Sequence, residues 1–458
     1  MQMRKNKVAS PLQIKTKRKQ FVYNEFASDH EKINKQNCLS AMYLENCDCS
    51  GGQMRIMSVF ETYKHPSAVY AVKLTQQAET PKELFELKRT TGSTQKGTFG
   101  FTTASGNVYI LTNMQGNYQK AFNAGKNPKC VLAYDEEKGQ TMMFIGQEGA
   151  YMYNMDMGQW CSTESFLPLG CFVKGRVFTA TPQGELVFFK PFDVRVTQGT
   201  IDETGKVQLP GTAGQIVDMV GVGDYVYVFC EYGIFRVKVA ASARQFEIET
   251  VPYGGAVIVG STACATSNGG EIFFLAGDGL CTLKGKTVVR HGRLCNVSIK
   301  TKQSKARSMQ VDDKYVVYVE DIYSSMSWYA VDLHTKQAYP CTTYSYTTGV
   351  LGGALTVHNN YVYHMHIHEG TSVLTESSFQ TILMFDTEKE KVLHSLSMHG
   401  KDGCRGYVES EYGRKDFYIW SPHESAPIRL KGKKFTLCLH VSLGAVLSGL
   451  TAEVTTLQ

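Results

Sequence analysis

Along the 458 residues of this chain one β-hairpin pattern keeps returning, and few folds can use such a repeat. Each copy is a short run rich in Val, Ile, Phe and Tyr, a turn containing glycine, and a second such run. FGFTTASGNVYILTN turns at Gly106, MMFIGQEGAYMYN at Gly149, VFTATPQGELVFFK at Gly184, YVYVFCEYGIFRVKV at Gly233 and EIFFLAGDGLCTLKG at Gly279. Those glycines lie 43, 35, 49 and 46 positions apart. A sixth hairpin, YVVYVEDIYSSMSWYAVDL, turns near Ser324. A seventh, YVYHMHIHEGTS through QTILMFD, has a longer connection after Gly370. A period of about 40–50 residues is that of a β-propeller blade. One four-stranded sheet cannot bury both faces, whereas sheets stacked around an axis bury each other's. The expected fold is therefore all-β, a β-propeller of six or seven blades over about residues 55–430. Successive β-sandwiches are the runner-up.

One short stretch, Thr80–Leu87 (TPKELFEL), reads instead as a helix, with Thr80 as its cap and Pro81 at its first position. The apolar run Phe435–Leu450 reads as strands that close the propeller or dock on a neighbour. It is also the nearest approach to a membrane segment, but Thr436, His440, Ser442 and Ser448 interrupt it, so no membrane span is expected.

Residues 1–36 read as a separate extended N-terminal arm, and 37–458 as the propeller. The arm carries Arg4, Lys5, Lys7, Lys15, Lys17, Arg18 and Lys19 and no acid in its first 20 residues. Such a segment repels itself and needs an acidic partner to become ordered. The chain as a whole carries only +6, too little for a surface that wraps nucleic acid. Its start has no apolar core of a secretory signal, so the thirteen cysteines are expected as reduced, mostly buried thiols. Cys47-Asp-Cys49 lacks the second pair a zinc site would need.

Phosphate-loop, dinucleotide, HExxH and nucleophile-elbow motifs are all missing from the sequence. No catalytic residue and no cofactor is expected, and the chain is read as no enzyme. Asp224-Tyr225 and Gly277-Asp278-Gly279 are turn chemistry. The one weak candidate for a metal is His364-Met-His366-Ile-His368, whose three imidazoles share one face of a strand. The competing reading is a polar outward face.

Three stretches resemble one family. They are Asn37–Tyr63 (NCLSAMYLENCDCSGGQMRIMSVFETY), Gly214–Val239 (GQIVDMVGVGDYVYVFCEYGIFRVKV) and Tyr253–Gly285 (YGGAVIVGSTACATSNGGEIFFLAGDGLCTLKG). The third has the small-residue run, the apolar-Phe-Phe-Leu strand and the Asp-Gly turn of the packaged-DNA stabilisation and tail-hub or nozzle proteins of short-tailed bacteriophages. The resemblance covers about 35–285; the cysteines and the basic arm depart from it. It implies a virion tail protein made in the host cytoplasm, without catalytic residues. Its partners would be neighbouring copies in a ring, usually six-fold, the connector and other tail proteins, with transient contact to genomic DNA. The ring would extend the DNA channel, help retain the packaged genome and pass it at infection. A propeller-fold receptor- or carbohydrate-binding module is the alternative.

Overall fold

A computed structural model describes residues 18–27, 37–45, 47–49, 52–56, 60–64, 81–91, 94–111, 118–136, 139–154, 157–193, 204–210, 213–265, 268–277, 279–292, 294, 306–311, 313–320, 326–336, 338–341, 355–358, 361–367, 377–422, 424–442 and 445–457. The chain divides into two compact units. A terminal unit joins Met1–Ile56 to Thr375–Gln458, and a propeller unit takes Met57–Leu374.

The propeller unit is a β-propeller. Among the described residues, seven antiparallel sheets follow one another in it. Sheet 1 runs Pro81–Thr91, Thr94–Thr103, Asn107–Leu111, Tyr118–Asn123, and sheet 2 runs Lys129–Asp135, Gly139–Gly146, Gly149–Tyr153, Gly158–Ser162. Sheet 3 is Cys171–Val173, Arg176–Ala180, Glu185–Phe188, Gly205–Gln208, and sheet 4 is Ile216–Val222, Tyr225–Cys230, Gly233–Lys238, Glu247–Val251. Sheet 5 is Ala263–Ala265, Glu271–Ala276, Gly279–Lys284, Thr287–Gly292, and sheet 6 is Arg307–Val311, Lys314–Glu320, Met326–Asp332, Ala338–Cys341. Sheet 7 has Leu355–His358, Tyr361–Ile367 and, from far upstream, Phe60–Lys64. From sheet 1 to sheet 6, each first strand lies against the first strand of the next sheet. Leu355–His358 of sheet 7 in turn lies against Pro81–Thr91 of sheet 1.

The period of two explains this stacking. In Tyr225–Cys230 every residue after the first is buried. Val226 and Val228 pack with Phe178 and Phe188 of sheet 3. Tyr227 and Phe229, between them, pack with Ile272 and Phe274 of sheet 5. Sheet 2 repeats the device: Met142 and Phe144 join Phe85 and Leu87 of sheet 1, and Met143 and Ile145 join Val177 and Val187 of sheet 3. An apolar run with no polar face is therefore what a strand covered on both sides requires.

The terminal unit holds two larger sheets. In one, Val446–Thr456 lies between Lys391–Lys401 and two short strands, Arg18–Tyr23 and Met54–Ile56. In the other the order is Gly413–Ile419, Cys404–Ser410, Phe435–Val441, Ser378–Leu383, Tyr43–Glu45. A parallel pair, Glu25–Ala27 with Cys38–Ser40, completes it. Alternate residues Phe435, Leu437, Leu439 and Val441 are buried, as are Leu450, Ala452 and Val454.

Three expectations change. Pro81–Thr91 is a strand rather than a helix: Phe85 and Leu87, two apart, are buried while Glu86 between them is half-buried, and the segment pairs along its length with Thr94–Thr103. Phe435–Val441 and Val446–Thr456 belong to the terminal unit, and the seventh sheet gains its added strand from Phe60–Lys64. The seventh hairpin dissolves for the same reason, because Ser378–Leu383 pairs with Phe435–Val441 and Tyr43–Glu45. Within the basic segment, Arg18–Tyr23 and Glu25–Ala27 are strands, and the two compact units meet in sequence at 56/57 and 374/375. Arg4, Lys5, Lys7, Lys15 and Lys17 lie outside the described residues. Ten cysteines among the described residues are outside any disulfide, all buried except half-buried Cys171. No described helix is long and apolar enough to cross a membrane.

Candidate functional site

The starts of the first strands bring charged side chains from separate sheets into one electrostatic neighbourhood. Sheet 1 contributes Lys82 and Glu83, sheet 2 Lys129, sheet 4 Asp218, and sheet 6 Arg307. Each is a charged residue within the first three positions of its strand. Lys129 Nζ lies 3.3 Å from Glu83 Oε1, and the other Glu83 oxygen accepts from the Cys130 backbone N–H at 2.8 Å. Thr262, just ahead of sheet 5, donates its hydroxyl to Asp218 at 2.6 Å. Ser308 of sheet 6 donates to the carbonyls of Gly260 and Thr262 at 3.1 and 2.9 Å. Hydrogen bonds thus link sheet 6 through the head of sheet 5 to sheet 4, and sheet 2 to sheet 1.

Electrostatics reaches further than contact. Glu83 raises the pKa of Lys129 above the ordinary lysine value, with Asp218 adding to it from two sheets away. Burial lowers the pKa of Lys82, helped by the like charges of Lys129 and of Arg307 on sheet 6. Burial also raises Asp218, against the opposing hydrogen bond from Thr262 and the charge of Lys129. The cations of Lys82, Lys129 and exposed Arg307 and the carboxylates of Glu83 and Asp218 therefore act on one another electrostatically. Such a set can orient a charged group. Its members are single residues up to 225 positions apart, each next to apolar sequence, and no local motif marks them. The one available signal is a charge repeatedly heading an apolar strand.

The histidine motif falls elsewhere. His364 and His366 lie on Tyr361–Ile367, the second strand of sheet 7, in register with Tyr63 and Glu61 of Phe60–Lys64. His368 lies outside the described residues. Among the described residues no group of three or more His, Cys, Asp or Glu is placed to hold a metal ion. The two described arm cations are paired, Arg18 with Glu453 at 3.3 Å and Lys19 with Asp386 at 3.2 Å.

A second feature escaped sequence reasoning. Between the outer strands of sheets 2 and 3 lies a groove of about 330 Å³ lined by Trp160, Glu164, Phe188 and Lys206 among others.

No family model matches the sequence, and no curated protein matches it. Among solved structures, the dihydro-heme d1 dehydrogenase NirN in complex with DHE is 10% identical, with a TM-score of 0.40 over 73% of this chain and 74% of that one. YCF48 bound to D1 peptide is 9% identical, with a TM-score of 0.35 over 69% of this chain and 94% of its own. BBS1N in complex with ARL6DN is 13% identical, with a TM-score of 0.35 over 64% of this chain and 99% of its own. At these scores none of the three carries an argument about what this chain does.

Proposed function

We propose that the chain is a structural protein of a bacteriophage virion tail, a hub, nozzle or head-to-tail ring component that extends the DNA channel, helps retain the packaged genome and passes it at infection. The observation that carries this reading is the family resemblance of Gly214–Val239 and Tyr253–Gly285. The two stretches coincide with the leading strands of two successive sheets, 4 and 5, so the likeness falls on consecutive repeats of one architecture. In this reading the protein acts without catalysis, and its working parts are surfaces.

A ring requires a surface that a second copy can cover. The terminal unit offers an edge strand, Gly413–Ile419, paired on one side only among the described residues. Next to it Trp420, 77% exposed, stacks on exposed Tyr418 with ring centroids 5.7 Å apart. Unpaired strand edges and exposed aromatic pairs are what interfaces use. Arg4, Lys5, Lys7, Lys15 and Lys17 precede the first strand and would meet acidic surface on the connector or a neighbouring tail protein.

The test is direct imaging of the purified protein by negative stain, alone and with the connector, followed by complementation of a phage lacking the gene. Rings of copies and DNA-filled particles restored by the gene are expected. Protein that stays monomeric at every concentration and with the connector present would overturn the reading.

A further inference from the structure

We propose that the groove between sheets 2 and 3 is a binding site for a neutral sugar ring. This does not depend on the tail assignment. The groove opens between Gly158–Ser162, the outer strand of sheet 2, and Gly205–Gln208, the outer strand of sheet 3. Its volume of about 330 Å³ is at the small end of ligand sites and suits one or two monosaccharide units.

The groove has one apolar wall and one charged wall. Trp160 forms the first. A register shift between Ala150 and Tyr151 lets Gly158–Ser162 carry one extra residue there, with Tyr151 opposite Trp160 and Ala150 opposite Ser162. Such bulges re-aim a side chain. Cys161 takes the buried position, and Trp160 is left 42% exposed. Its ring stands edge-on to Tyr151 at 5.2 Å, which fixes the orientation of the indole. The phenylalanines of the lining, Phe188 among them, are already buried and offer little open surface. Trp160 is therefore the aromatic face available to a ligand.

The second wall is an ion-pair bridge across the two sheets. Lys206 Nζ lies 3.1 Å from Glu164 Oε2 and 3.6 Å from Glu185 Oε2. The hydrogen bond to Glu164 raises the pKa of Lys206, so the group stays an ammonium. Glu164 and Lys206 line the groove as one carboxylate against one ammonium, a mutually neutralised pair that offers an acceptor and a donor without the surplus positive charge that phosphates, sulfates or uronates would need. A flat apolar face opposite paired donors and acceptors fits a pyranose, with C–H bonds on one side and hydroxyls around the edge. A purely apolar ligand would take water from the charged wall and return no hydrogen bond to it.

The experiment uses the full chain and saturation-transfer NMR with methyl glucoside, methyl galactoside, N-acetylglucosamine and their dimers as probes. Glucuronate and a set of uncharged tripeptides form the other arms. At least one neutral sugar should bind with its ring C–H protons most saturated. Trp160→Ala should weaken that binding about tenfold, with Trp160→Phe retaining most of it. Glu164→Gln should weaken it without changing the thermal transition. The proposal is overturned if no neutral sugar binds, if glucuronate binds as well as glucoside, or if only the tripeptides bind. It is overturned equally if Trp160→Ala and Glu164→Gln both bind like the parent.

Discussion

Arg18 and Glu453, 435 positions apart in the sequence, pair at 3.3 Å across adjacent strands of one sheet. The ion pair marks the relationship without supplying its strength, since Arg18 is largely exposed and such pairs contribute under about 1 kcal/mol. Strength comes from burial nearby. Phe26 is 1% exposed and meets Phe379 edge-on at 5.3 Å, and Tyr23 is 3% exposed. Phe26→Ala should therefore destabilise the terminal unit by about 3–5 kcal/mol, and Arg18→Ala by under about 1 kcal/mol. Trp420 reports on this unit and Trp160 and Trp328 lie in the other. Urea unfolding followed by Trp420 fluorescence, with the other two replaced by Phe, measures the difference. Equal midpoints for the two variants would refute it.

Closure of the propeller rests on a second long-range pairing. Phe60–Lys64 runs antiparallel to Tyr361–Ile367, with Thr62 opposite Met365. Without it Tyr361–Ile367 would present a bare edge, a template for association with other chains. Thr62→Pro removes a backbone donor and locks φ in the middle of that strand. The variant should lose soluble protein, and hydrogen exchange should rise first in Tyr361–Ile367. Unchanged yield and unchanged protection there would show that closure lies elsewhere.

The repeat was legible in the sequence because its signal is local. Met142–Ile145 or Tyr225–Cys230 is apolar at successive positions, and each is bounded by a turn. What was not legible depends on register between distant segments. Nothing near Phe60 says that it faces Ile367, and nothing near Phe435 says that its strand pairs with Ser378–Leu383 in a unit apart from the sheets. Thr80–Leu87 satisfied local helix rules, and pairing with Thr94–Thr103 overrode them. Trp160 was visible, but its exposure follows from a one-residue register shift that composition does not encode. The charged set of Lys82, Lys129 and Asp218 is assembled only by the stacking of sheets.

Two turn glycines separate backbone strain from steric collision. Gly106 has φ +88°, and a Cβ there would stand 2.0 Å from the Gly125 carbonyl oxygen. Gly184 has φ +85° but open space around it. Gly184→Ala should cost the conformational term alone, about 1–2 kcal/mol. Gly106→Ala adds a backbone collision that no side-chain rotation relieves, and should cost more than twice as much or prevent folding of sheet 1. Denaturant midpoints of the two variants test this, and a smaller loss for Gly106→Ala would contradict it.

Asp332 ties acid stability to sheet 6. Burial by itself would raise its pKa. Lys314 Nζ at 2.7 Å, together with the backbone N–H groups of His334 and Thr335 at 2.9 and 2.7 Å, overcomes that and holds the carboxyl at about 2. Lys314 and Asp332 are cross-strand partners and both side chains are 10% exposed, so solvent screens the pair little. A depressed carboxyl stabilises the fold above its unfolded pKa of about 4, and the contribution disappears as pH falls from there through the folded value. The displacement amounts to roughly 2 kcal/mol at neutral pH. Asp332→Asn should remove that stability at pH 7 and leave little difference from the parent near pH 2. The measurement is ΔG of unfolding for both proteins between pH 7 and pH 2. Parallel curves across the range would mean that Asp332 titrates normally in the folded state and that the Lys314 contact contributes nothing to acid sensitivity.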